Sequence, residues 1–222
     1  MKITLVYANF PFWRAEVARI SLYMGGVEFN DMRITSEKFQ QVKLKGCLDD
    51  GTPIPFHQLP VLVVDGVSIA QTGAIARFCG KLTNLYPKNN DLLAAKIDQF
   101  IDFSTDITSL VFFTSKNVDE EQKLLNRREL AKGELQRKLS MLENNVQQSD
   151  AWICGAEITI ADLAVWRVMG WLVSGAVDGL PKTLLDNFPK VKKICNAVDK
   201  HPKVLEWISL TYPKDYSRGS FE

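Results

Sequence analysis

The chain has 222 residues, 46% of them apolar and 24% charged, enough to build a real core in one large domain or two modest ones. Lys plus Arg number 27 against 26 Asp plus Glu, a net charge of +1, so there is no basic stripe for nucleic acid and no attraction to an acidic membrane surface. No apolar run approaches the roughly 18 residues of a spanning helix, and residues 1–12 lack the pattern of a signal peptide, which points to a cytoplasmic protein.

Residues 2–7 are rich in β-formers and predict a first strand. Over 12–24, Val17, Ile20, Leu22 and Met24 recur at helical spacing, and Gly25-Gly26 stops that helix. A second strand is predicted over 27–34, and Thr35 or Ser36 followed by Glu37 opens a short second helix. Residues 46–56, with Gly51, Pro53 and Pro55, read as an irregular loop. Residues 61–64 and 67–69 flank Asp65-Gly66, a two-residue hairpin signal, and a helix over 71–81 closes the unit. The order β-α-β-α-β-β-α implies a parallel pair joined by a crossover, plus an antiparallel hairpin.

Beyond a polar connection at 82–90, only helical periodicity remains. Helices are expected over 92–116, 120–148, 183–198 and 202–210. Ile158-Thr159-Ile160-Ala161-Asp162 is a helix start, in which Thr159 caps the amide of Asp162 and Asp162 returns the bond. Asp162 is therefore read as structural. The expected organisation is an α/β domain over 1–82 followed by an all-α domain over 90–222.

Three features converge on one edge of the small sheet. Gln58-Leu59-Pro60 leads into the third strand, where a missing amide is tolerated and the proline is often cis. The backbone before it can pair with a ligand peptide as an added strand would. Gln71-Thr72 stands at the amino terminus of the third helix, where amides and the helix dipole favour a carboxylate. Tyr7 ends the first strand, and a phenol there can donate to a thiolate and lower its pKa below about 8.5. Glu16 reads as an ordinary surface charge on the first helix, and His57 as loop decoration. The four cysteines, Cys47, Cys79, Cys154 and Cys195, show no metal-ligand spacing and read as core residues, so no metal site is expected.

These residues resemble the glutathione transferase family over essentially the whole chain. The run Gln58-Leu59-Pro60-Val61-Leu62, then Asp65-Gly66, then Gln71-Thr72-Gly73-Ala74-Ile75-Ala76-Arg77 matches its most recognisable stretch, and Ile158–Asp162 matches the cap in its helical domain. Within the family the chain looks most like tyrosine-type, sigma-like members. The resemblance implies a thioredoxin-like domain followed by a helical one, a homodimer, glutathione as co-substrate with no other cofactor, and conjugation to apolar electrophiles in detoxification. It also implies that Tyr7 bonds the glutathione sulfur with Arg14 nearby, and that Phe39 and Lys43 serve the glycyl end. Leu59 then pairs with the cysteinyl backbone, Gln71 and Thr72 take the γ-glutamyl end, and Asp98 reaches the neighbouring subunit's site. Phe56 falls where an aromatic key inserts into the partner.

Phe10, Phe12, Trp13, Phe112 and Phe113 are expected to line an apolar pocket for the second substrate where the domains meet, and each fits a core position equally well. Arg14 follows Tyr7 by seven positions, one more than is usual in the family. The longer turn brings in Asn9 as a second donor to sulfur. It also favours a competing reading, a glutathione- or ligand-binding protein without catalysis. A third reading is an isomerase or peroxidase that uses the same thiolate.

Overall fold

Strand β1 (Ile3–Ala8) sends Ile3, Leu5 and Tyr7 into one apolar cluster and Val6 into another, as the two-residue period of a strand requires. The computed structural model describes residues 1–147 and 151–221. They fall into two compact units, Met1–Asn90 and Asp91–Glu222.

In the first unit β1 lies beside β2 (Asn30–Ile34) in parallel and β3 (Val61–Val64) antiparallel, with β4 (Val67–Ala70) outside β3, giving the order β2-β1-β3-β4. Helices α1 (Glu16–Met24) and α3 (Thr72–Thr83) cover one face through Ala18, Leu22, Ile75 and Cys79, with Ala15 just ahead of α1. Helix α2 (Ser36–Lys45) covers the other through Val42, against Ile34, Leu48, Ile54 and Val61. Asp65 and Gly66 both take positive φ, 47° and 87°, the handedness a two-residue hairpin needs.

Two elements are shorter than the sequence pattern suggests. Helix α1 begins at Glu16 rather than residue 12: residues 11–15 form bends and a turn, closed by Glu16 N donating to Trp13 O at 2.9 Å. Strand β2 begins at Asn30, since the Val27 amide is spent on the Leu22 carbonyl at 2.9 Å, closing the end of α1.

The second unit is helical: α4 (Asp91–Thr114), α5 (Glu120–Lys132), α6 (Glu134–Asn145), α7 (Ile160–Val173), α8 (Pro189–Asp199) and α9 (Pro202–Thr211). The single helix expected over 120–148 is two helices, broken at Gly133, whose φ of −111° and ψ of −103° suit a residue without a Cβ. Its expected last residue, Gln148, lies outside the described residues. The helix expected from 183 starts at Pro189, and residues 181–188 form tight turns closed by Leu184 N to Pro181 O and Phe188 N to Leu185 O. Proline at the first helical position disfavours helical backbone in the residue before it.

Helix α7 is buried along nearly its whole length and packs on α4 and α8. Its start is fixed by Asp162, fully buried, which accepts from the Ile153 amide at 2.8 Å, the Thr159 amide at 2.8 Å and the Thr159 hydroxyl at 2.9 Å. The Thr159 oxygen also accepts from the amide of Ala161 at 3.2 Å, and Thr159 and Asp162 form the reciprocal capping box that the pattern suggests. Burial pushes the Asp162 carboxyl up to about 6 despite those donors. No described helix is long and apolar enough to cross a membrane.

Asp162→Ala leaves two buried amides without their acceptor and removes half of the cap, so it is expected to cost about 2–3 kcal/mol. Urea unfolding followed by circular dichroism checks this. An unchanged midpoint would mean that the cap does not hold α7.

Candidate functional site at one end of the sheet

Register assembles the site. Val6 pairs with Val61, and Val61 pairs with Ala70. One step outward along each strand come Tyr7, Pro60 and Gln71, which therefore stand in a row across the same end of the sheet. On the other flank of β1, Arg33 of β2 lies opposite Tyr7.

Each member has its own local cause. The Leu59–Pro60 peptide is cis. Pro60 is buried, Gln58 is exposed, and Leu59 packs partly beneath both apolar clusters. Gln71 precedes α3 with φ 72° and ψ 122°, a conformation that costs a side-chain-bearing residue about 1–3 kcal/mol and persists where the surroundings impose it. Thr72, half-buried, opens α3. Amides in the first turn of a helix have no partner within it, and with the dipole they favour an anion.

The loop below is more ordered than its composition implies. Cys47 bridges Pro53, Ile54 N donates to Gly46 O at 2.8 Å, and Lys38 pairs with Asp49. His57, read from sequence as decoration, donates from Nδ1 to the Lys43 carbonyl at 2.9 Å and so caps the end of α2. A side chain at Gly46 would meet its Nε2 at 2.4 Å. Phe56 takes a positive φ of 58° and is 70% exposed. On α2, the exposed Lys43 ammonium sits 4.5 Å from the ring centroid of half-buried Phe39.

Tyr7 is 4% exposed and meets Phe10 edge-on, with centroids 6.2 Å apart. Beyond it the turn is tight: Phe10 N donates to Ala8 O at 2.7 Å and Asn9 N to Ile34 O at 3.1 Å. Phe10 remains 45% exposed, Trp13 is half-buried with the Arg14 guanidinium 5.9 Å from its ring centroid, and Phe12 is buried in the interior.

Glu16 is not a surface charge. It is fully buried and pairs at 3.2 Å with Arg19, itself fully buried. Arg19 also donates from Nε to Asp31 at 2.9 Å and from Nη1 to the Phe10 carbonyl at 3.1 Å, and its guanidinium lies 5.8 Å from the Tyr7 ring centroid. Arg33 completes the chain by donating to Asp31 at 2.8 Å. Burial opposes the Arg19 charge, but Glu16 and Asp31 outweigh it and raise the pKa above its ordinary value. Arg19 escaped the sequence reading. The signal was its place three residues after Glu16 and beside Ile20 on a helix rich in apolar residues.

In the second unit, Asp98 is half-buried on α4, and Phe112 and Phe113 are exposed near the end of α4, edge to face with centroids 5.5 Å apart. Burial pushes the Cys79 thiol up to about 12 and raises that of Cys195 well above its usual range. Among the described residues no cluster of His, Cys, Asp and Glu suits a metal.

Two family models match the chain, one for the glutathione S-transferase N-terminal domain over residues 2–80 and one for the glutathione S-transferase C-terminal domain over residues 101–210. Mouse hematopoietic prostaglandin D synthase is 29% identical over 204 residues, covering 92% of this chain and 94% of its own. Glutathione S-transferase 3 of Caenorhabditis elegans is 27% identical over 199 residues, covering 88% and 90%. A solved structure of rat hPGDS complexed with a quinoline matches with a TM-score of 0.79 at 24% identity, covering 97% of this chain and 100% of that one. Its identity speaks to the fold, a thioredoxin-like α/β unit followed by an all-helical one.

Gln71→Gly removes the backbone cost of the positive φ and is expected to raise stability by up to about 1 kcal/mol, read as a higher thermal midpoint. Gln71→Ala, which keeps a Cβ, gives no gain. Equal midpoints for the two variants would show that Gln71 is not strained.

Proposed function

Because the chain belongs to the glutathione S-transferase family, we propose that it binds glutathione across the outer ends of β1, β3 and β4 and transfers its sulfur to apolar electrophiles. The row Tyr7, Pro60, Gln71 carries this reading, since it sets a thiol partner, a peptide-pairing backbone and an anion site side by side. The Leu59 backbone pairs with the cysteinyl residue as an added strand would, with Gln58 beside it. Gln71, Thr72 and the first turn of α3 take the γ-glutamyl carboxylate. Phe39 and Lys43 serve the glycyl end, and Asp98 serves the site of a second copy.

The chemistry asks little more of the protein. Tyr7 donates its hydroxyl hydrogen to the sulfur, which favours the thiolate, and Arg14 adds positive charge nearby. With an aryl halide the thiolate forms the new C–S bond, and the halide leaves with its electron pair. Binding supplies proximity, and the electrophile rests on Phe10 and Trp13. Such apolar contacts discriminate weakly, which suits a broad substrate range. We place the protein in the cytoplasm as a dimer, with exposed Phe56 packed into the second copy. The 29% identity to mouse hematopoietic prostaglandin D synthase favours a second reading, isomerisation of a prostaglandin-type substrate by the same thiolate.

Wild type is expected to conjugate glutathione to chlorodinitrobenzene. Tyr7→Phe should lose about 10- to 100-fold of kcat at pH 6.5, recovering as pH rises towards the thiol's own ionisation. Equal rates across pH 6 to 9 would remove Tyr7 from the chemistry and make Asn9 the next donor to test. Glutathione binding by wild type without turnover of either substrate class would instead identify a binding protein. Sedimentation of Phe56→Ala should show weakened self-association, and an unchanged assembly would refute its placement.

A further inference from the structure

Besides its bond to Glu16, the guanidinium of Arg19 lies over the Tyr7 ring, 5.8 Å from its centroid, and bonds the carbonyl of Phe10 in the turn that follows it and Asp31 on the neighbouring strand. It does so from a fully buried position on α1, and its Nη2 has no hydrogen-bond partner. That arrangement is wasteful for a purely structural cation, because burying a guanidinium without using all its donors is costly.

Of the charged groups around Tyr7, helix α1 contributes Glu16 and Arg19, and β2 contributes Asp31 and Arg33. Strand β3, Val61–Val64, carries none, α3 carries Arg77 and Lys81 besides Cys79, whose raised pKa keeps it neutral, and Arg14 stands in the turn after β1. Within the chain Glu16, Arg19, Asp31 and Arg33 the charges cancel in sum, so its field at the phenol depends on which of them lies nearest. The cation placed over the ring is Arg19, and a cation over an aromatic face is attracted to it. The turn it grips is also the one lengthened between Tyr7 and Arg14, where a slack backbone would let the phenol wander.

We infer that Arg19 is a positioning residue for Tyr7, holding the phenol by its ring face and the next turn by the Phe10 carbonyl so that the hydroxyl is presented, polarised, to the glutathione sulfur. The inference rests on Tyr7 being the thiolate's donor. Arg19 acts through Tyr7 and touches no substrate itself.

Two folded variants test it. Glu16→Gln with Arg19→Gln removes opposite charges together and leaves no lone buried ion from that pair, and Arg19→Lys keeps the cation but loses the fork. Each is compared in the wild-type and Tyr7→Phe backgrounds, after thermal unfolding confirms that it folds. The paired exchange is expected to raise the pKa of the bound glutathione thiol by about half a unit to one unit. It should lower kcat at pH 6.5 about 3- to 10-fold, with KM for glutathione within about twofold. Arg19→Lys recovers part of the loss, and in the Tyr7→Phe background the exchange changes kcat less than about twofold. A folded variant with the wild-type pH profile overturns the inference while leaving Tyr7 in place. The same loss in both backgrounds also overturns it, since the effect would bypass Tyr7. If Tyr7→Phe alone leaves the profile unmoved, the catalytic reading falls and takes the inference with it.

Discussion

The pairing of Val6 with Val61 and of Val61 with Ala70 is the constraint on which the site depends. It aligns the ends of three strands, so that the residues just past them fall in one row. A slip of one residue in either pairing would turn every side chain of that strand to the opposite face. It would put Leu5 and Leu62 where Val6 and Val61 now pack, and it would break the row. The register is held by the two apolar faces, and the positive φ at Asp65 and Gly66 fixes the hairpin that joins β3 to β4. Packing on both faces of the sheet thereby sets the geometry of a surface feature.

The charges beside that row follow a different logic. Glu16, Arg19 and Asp31 form a buried or half-buried chain in which each ion neutralises its neighbour. Such clusters add little net stability relative to well-packed apolar residues, and losing a single member leaves an uncompensated charge. What this cluster secures is placement. It ties α1 to β2 and, through the Phe10 carbonyl, to the turn after β1.

Most of the first unit's architecture was legible in the sequence because local signals agreed with one another. Asp65-Gly66 specifies its turn, Gly25-Gly26 its helix end, and Gln71-Thr72 its helix start. Asp162 declared itself by the Thr-x-x-Asp spacing, which needs only backbone arithmetic. Where the reading failed, the deciding fact was non-local or depended on the absence of a side chain. Gly133 looks tolerable inside a helix, and only its backbone angles show the break. The aromatic run from Phe10 to Trp13 has the period of a helix, but its backbone bonds are spent on turns at either end. Glu16 looks like a surface charge until Asp31, twelve residues beyond Arg19, supplies the second carboxylate that lets that cation be buried with it. His57 gains its role from the Lys43 carbonyl, which no local pattern announces. Candidate roles for Phe39, Lys43 and Asp98 came from family resemblance alone, because nothing in their spacing requires them.

Cys79, in the same apolar cluster as Tyr7, is held near pKa 12 by burial. At pH 7 that sulfur is thiolate far less often than an ordinary thiol, of which a few per cent is ionised. Cys195, like Cys79, has no exposed surface, and burial raises its pKa well above the usual range. Electrophiles seek thiolates, so on the proposed function these two cysteines are poor targets for the reagents it handles. That inertness comes from the dryness of the core that also holds the sheet together.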